Sequence, residues 1–147
     1  MKRLKDITPG DYIYTIMVEY YASGKFKKVT VLSRIVTSAN IIKGEDILKI
    51  RTKHTEATRF YGTNLSFYLF CLDKKSIKVH RMGYDFIYAF SEGAFIEELQ
   101  QLLSQVKKTI SKGQKHIAIE QFYYKFMPNV IRMIHSHKSE CVIINIK

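Results

Sequence analysis

Apolar side chains recur at every second position along much of this chain up to Phe90, and at every third or fourth position from Ser91 onward. A period of two belongs to a strand with one wet face; a period near 3.6 belongs to a helix with one buried stripe. The chain is thereby committed to building sheet first and helix second, with the change at Ser91. Within the first part, Val29, Val31 and Ile35 share one parity, while Lys28, Thr30 and Arg34 share the other. Leu48 and Ile50 alternate with Lys49, Arg51 and Lys53, and Tyr84, Phe86, Tyr88 and Phe90 fall on one side of a further run.

Turn signals cut this half into short pieces. Pro9-Gly10-Asp11 precedes a run from Tyr12 to Tyr21 that is dense in aromatic and β-branched residues, which suit a pleated surface. Ser23-Gly24-Lys25 predicts a hairpin turn into a return strand from Phe26 to Val36, and Ser38 to Asp46 reads mainly as a connection. Further strands are predicted at Ile47–Lys53, Leu65–Asp73, Ile77–Met82 and Tyr84–Phe90. About six short strands joined by tight turns favour an antiparallel barrel or a strongly bent sheet.

From Ser91 the pattern is helical. Ser91 is a fitting N-cap, and Glu92, Glu97 and Glu98 put negative charge near the positive helix start. Phe95, Leu99, Leu102, Leu103, Val106 and Ile110 make one apolar stripe, and Lys107, Lys108, Lys112 and Gly113 suit its end. A second helical segment is predicted over His116–Met127, broken by Pro128, and Cys141–Ile146 reads as a closing strand. The expected fold is α+β: an antiparallel, SH3-like or barrel-like sheet, then an amphipathic helix, a second helical segment and a C-terminal strand. It is expected as one domain over 1–147, with the β-rich part at about 8–90, the helical part at about 91–138 and the closing strand at about 140–147.

The charge balance narrows the partners. Lys and Arg number 24 against 13 Asp and Glu, a net charge of +11. Residues 1–91 hold 16 of those cations and eight of the acids. Such a field attracts polyanions whatever the fold. Lysine outnumbers arginine 18 to 6 and isoleucine appears 19 times, a bias that an A+T-rich genome would produce unaided. No apolar run approaches the roughly 20 residues needed to cross a bilayer, so no membrane partner is expected. The first residues, MKRLKDITPGDY, lack an apolar signal core. Cys71 and Cys141 match no metal-ligand spacing, and reduced, buried thiols in a cytoplasmic location are the expectation.

If Val29, Val31, Leu48 and Ile50 point inward, then Lys28, Arg34, Lys49, Arg51 and Lys53 point outward, and Lys78, with His80, extends the same surface. These are the candidate nucleic-acid-binding residues: regularly spaced cations can track a phosphate backbone. The tyrosines read differently. Tyr12, Tyr14 and Tyr20 share one strand face and are expected in the core, with their hydroxyls at the rim. His135-Ser136-His137 could offer two metal ligands on one strand face but lacks a third in any recognisable spacing, so no metal is expected. The acids Glu45, Asp46, Glu56, Asp73 and Asp85 form no nuclease pattern, and there is no Gly-rich phosphate loop or activated Ser or Cys nucleophile. No cofactor and no catalytic residue is assigned.

The stretch from Leu4 to Tyr14, a Pro/Gly-Asp turn before an apolar strand, resembles the opening of SH3-like small barrels. It is also similar to the start of MazF-type RNase toxins, in which a basic hairpin follows. The Arg-Pro step usual in that family's next strand is absent here, where Lys27-Lys28-Val29 stands instead. Tyr12-Ile13-Tyr14 has the look of the first triplet of GIY-YIG endonucleases, yet no YIG triplet or arginine-bearing helix follows it. The leading expectation is a small, basic, non-enzymatic binding protein whose sheet meets nucleic acid or an acidic protein surface. The alternative is a structural or assembly protein, of the kind found in phages or mobile elements, acting through homo-oligomeric contacts. An RNase-like toxin, with Arg34 as its candidate catalytic cation, is the third.

Overall fold

The computed structural model describes residues 1–24, 26–53, 64–109, 127–136 and 141–145. After a short 3-10 turn at Leu4–Asp6, six strands follow: β1 (Tyr12–Tyr20), β2 (Phe26–Ile41), β3 (Ile47–Lys53), β4 (Asn64–Phe70), β5 (Ser76–Arg81) and β6 (Tyr84–Ala89). Helices α1 (Glu92–Thr109) and α2 (Met127–Ser136) come next, and β7 (Cys141–Asn145) is the last element described. The strands run in the order β4-β3-β2-β1-β6-β5, and β7 pairs with β2. Every pairing is antiparallel.

The first turn works as the alternation requires. Gly10 takes a φ of 95°, open to glycine and strained for most residues. The chain there is clasped to β2, with the Gly10 N–H donating to the Val36 carbonyl and the Val36 N–H to the Asp11 carbonyl, at 2.9 and 2.8 Å.

β2 is longer than the alternation predicts. It continues through Ser38, Ala39, Asn40 and Ile41, so the expected connection shrinks to residues 42–46. A bulge between Val36 and Ser38 accounts for the difference. It takes up one residue, turns the strand and lets its far half pair with β3. The near half of the same edge, Lys28–Leu32, pairs with β7.

The sheet curls into a half-barrel. Phe67 of β4 and Tyr88 of β6 are separated by three strands in the sheet order, yet their rings stack with centroids 5.5 Å apart. Strands that far apart meet only across a concave face. That inner face holds a core of Ile13, Val36, Leu48, Ile50 and Leu69, with Leu4, Ile7 and Phe90 packed into it.

The outer face of β1, β2 and β6 is covered by helix. Tyr14, Ile16, Val18, Val29, Val31 and Ile87 pack there against Phe95, Leu99 and Leu102 of α1 and Val130 of α2. The helical stripe is thus buried where its spacing predicts, as far as Leu102. Ser91 caps α1, its Oγ accepting from the Ala94 N–H at 3.2 Å. Tyr14 lies against Phe95 with centroids 5.1 Å apart, and Tyr12 and Tyr20 are half-buried at the same core's margin. Pro128 stands in the first turn of α2, a position where its missing N–H costs no hydrogen bond. The predicted segment His116–Met127 lies outside the described residues but for its last residue, as do Lys112, Gly113, His137 and most of the polar stretch from His54 to Asn64.

Candidate nucleic-acid interface

The six candidate cations go to four different places. Lys49, Arg51 and Lys53 stay together on one face of β3, opposite in parity to the buried Leu48, Ile50 and Thr52. Because that buried set faces the inside of the curl, the three cations lie in line on its outside. Same-face residues of a strand are about 6.6 Å apart, so the row is evenly spaced. Among the described residues, none of the three cations has a salt-bridge partner. Asp46, three residues before Lys49, is turned to another use: its Oδ1 accepts from the Leu72 N–H at 2.8 Å.

Arg34 corrects the sequence reading. It is 4% exposed, with its Nε donating to Thr52 Oγ1 at 2.8 Å inside the curl. Burial pulls its guanidinium below the ordinary value. The outward expectation failed because alternation reports exposure only where one face is wet. β2 is covered on both sides, so Thr30, Ser33 and Arg34 are buried along with Val29 and Val31.

Lys28 sits at the other end of β2, 3.9 Å from Glu19 Oε2, while Lys27 approaches Glu19 Oε1 at 3.5 Å. Lys78 lies on β5 beside α1, 3.5 Å from Asp85 Oδ2. Asp85 is a buried carboxylate that also accepts from the Tyr20 hydroxyl at 2.6 Å, with His80 Nδ1 2.5 Å from its Oδ1. Burial would raise its pKa, but these hydrogen bonds and the Lys78 charge outweigh that and hold it below the usual carboxylate range. Tyr20 is pushed up correspondingly, by burial first and then by the carboxylate it bonds. A cavity of about 100 Å³ lies beside this cluster, lined by Tyr20, Lys78, Asp85, Glu98, Gln101 and Gln105 among others. The charges of Lys28 and Lys78 are thus answered locally, and those of the β3 row are not.

The cation row has neighbours that the sequence alone did not bring forward. In the register of β3 with β4, Lys49 stands opposite Tyr68, Arg51 opposite Ser66, Lys53 opposite Asn64 and Ile47 opposite Phe70. Tyr68 is 52% exposed and Phe70 57%. Read as a run, Leu65–Asp73 is simply apolar. The usable signal is its parity relative to Lys49, which requires the register.

Among the described residues, no three His, Cys, Asp or Glu side chains come together as a metal site would need. No described helix is long and apolar enough to cross a membrane. No protein-family model, curated protein or solved structure matches the chain.

Proposed function

We propose that this is a small, non-enzymatic binding protein that holds nucleic acid against the outer face of β3 and β4. The observation that carries the reading is the line of Lys49, Arg51 and Lys53 with no salt-bridge partner among the described residues. Three such cations in register release counterions from a phosphate chain, and the net charge of +11 speeds the encounter. The toxin alternative is weakened by the burial of Arg34, the cation it would have used. The long bent β2, shared by two halves of the sheet, supports the SH3-like reading of the barrel. Cys71 is exposed and not buried as its sequence suggests, and a free, exposed thiol is at home in a reducing cytoplasm.

The test is a titration of labelled oligonucleotides followed by fluorescence anisotropy over a series of salt concentrations. Changing Lys49, Arg51 and Lys53 together to Ala should weaken binding and flatten the slope of log K against log salt by about 2, at roughly 0.7 per lost phosphate contact on single strands. Lys78→Ala, whose charge is answered by Asp85, should leave both nearly unchanged. No binding by the wild-type protein at low salt ends the proposal.

A second reading, self-assembly, is favoured by β4. It ends the sheet order, carries no charged residue and exposes Leu65, Tyr68 and Phe70. Such an edge is a template for pairing. In that case a concentration series in sizing chromatography would show an oligomer whether or not nucleic acid is added.

A further inference from the structure

We infer that the occupant of this face is a single strand, extended and unstacked, with successive bases laid on Tyr68 and Phe70 and its phosphates along Lys49, Arg51 and Lys53. The inference rests on the proposed nucleic-acid reading and deepens it. Tyr68 and Phe70 are two residues apart on β4, on the same face as the cation row. More than half of each side chain's surface is open, so ring faces are within reach of a ligand. Contiguous exposed apolar surface marks interaction sites, and these two neighbours on one face of β4 adjoin the one cation row among the described residues that lacks salt-bridge partners.

Spacing selects the ligand. Two same-face residues of a strand are about 6.6 Å apart. Bases in a duplex rise about 3.4 Å per nucleotide along each strand. A duplex therefore cannot place consecutive bases on Tyr68 and Phe70, and its base faces are already covered by one another. A single strand drawn out to about twice the duplex rise can do so, one base per ring. The same step of about 6.6 Å separates Lys49 from Arg51 and Arg51 from Lys53, so one extension satisfies both rows. The rows are neighbouring strands about 4.8 Å apart, which sets phosphates on β3 beside bases on β4. Ser66 and Asn64, opposite Arg51 and Lys53, continue the base row with polar groups able to meet base edges.

The experiment compares oligothymidylate, oligouridylate, a duplex of the same length and heparin, which has the charge but no bases. The probes are titrated against wild type, Tyr68→Ala, Phe70→Ala and Tyr68→Phe, each checked for an unchanged melting temperature. Each alanine change should weaken at least one of the single strands on the order of tenfold. Heparin binding should stay as in wild type, and Tyr68→Phe, which keeps the ring, should bind the single strands normally. DNA and RNA sources are told apart by which oligomer shows the loss. The inference is overturned if the aromatic changes leave both single strands unaffected, if they weaken heparin equally, or if the duplex binds as tightly as the strands. In those cases the cation row still stands as a polyanion site. Failure of every probe, heparin included, removes the nucleic-acid reading itself. Loss of an oligomer in sizing chromatography on Tyr68→Ala, with oligonucleotide binding intact, assigns the aromatics to self-assembly and overturns the inference too.

Discussion

Arg34 carries its charge inside the curl of the sheet, where its Nε finds the Thr52 hydroxyl. A buried cation is held by what it hydrogen-bonds, and removing it leaves those partners without a mate. Arg34→Met should cost on the order of 1–3 kcal/mol in urea unfolding and leave oligonucleotide affinity unchanged. A loss of affinity at unaltered stability would show that Arg34 acts at the ligand. The contrast with β3 explains which site residues were legible. Lys49, Arg51 and Lys53 alternate with side chains buried on the inner face alone, so parity predicts their exposure. Arg34 alternates in the same way on a strand with no wet face there, so parity predicts the wrong side. Tyr68 and Phe70 were hidden for the opposite reason: apolar letters in a strand read as core until a register assigns them a face.

At the level of elements, the junction at Ser91 was the plainest feature in the chain, because a change of period and a capping residue coincide. Ser91→Ala removes the acceptor for the Ala94 amide and should destabilise the protein by about 1 kcal/mol in thermal melts, the ordinary cost of an N-cap. Glycine at the same position should cost only a few tenths. Elsewhere local chemistry misled. Asn40 and nearby polar residues suggested a loop, yet the bulge after Val36 keeps them in β2 by giving them a new partner strand. Pro128 stands within the first turn of α2, where its missing N–H costs no hydrogen bond, and the segment it was expected to end lies outside the described residues. For β2 the outcome was decided by a pairing that composition does not encode.

For the whole molecule, ionisable groups bound stability at both ends of the pH scale. Burial, with help from Glu92, pushes Tyr14 up to about 12; Tyr20 and Tyr88 are raised as well, chiefly by burial. A raised pKa means the folded chain keeps protons that the unfolded chain has released. That contribution is complete below the ordinary tyrosine value near 10 and is lost as pH climbs through the folded values. Melting temperature should therefore fall steadily above about pH 10. Tyr20→Phe should shorten that decline, read alongside tyrosinate absorbance. Asp85 works in the other direction: its pKa is lowered, so its contribution is complete above about pH 4 and disappears as pH drops through the folded value. Asp85→Asn should be less stable at neutral pH, and its deficit against wild type should narrow in acid.

The strand order also governs how the chain comes together in time. β1 lies between β2 and β6, and Tyr20 meets Asp85 65 residues further along. During synthesis the β1–β2 hairpin can close at once, while the other edge of β1 stays bare until Tyr84–Ala89 has been made. Contacts of such long range form late, because the loop must be ordered before they are gained. Until then an open strand edge and the apolar face meant for α1 are both accessible to other chains. The newborn chain is at its most adhesive just before β6 arrives, and its lysine-rich first half supplies the mutual repulsion that keeps neighbouring copies apart over that interval.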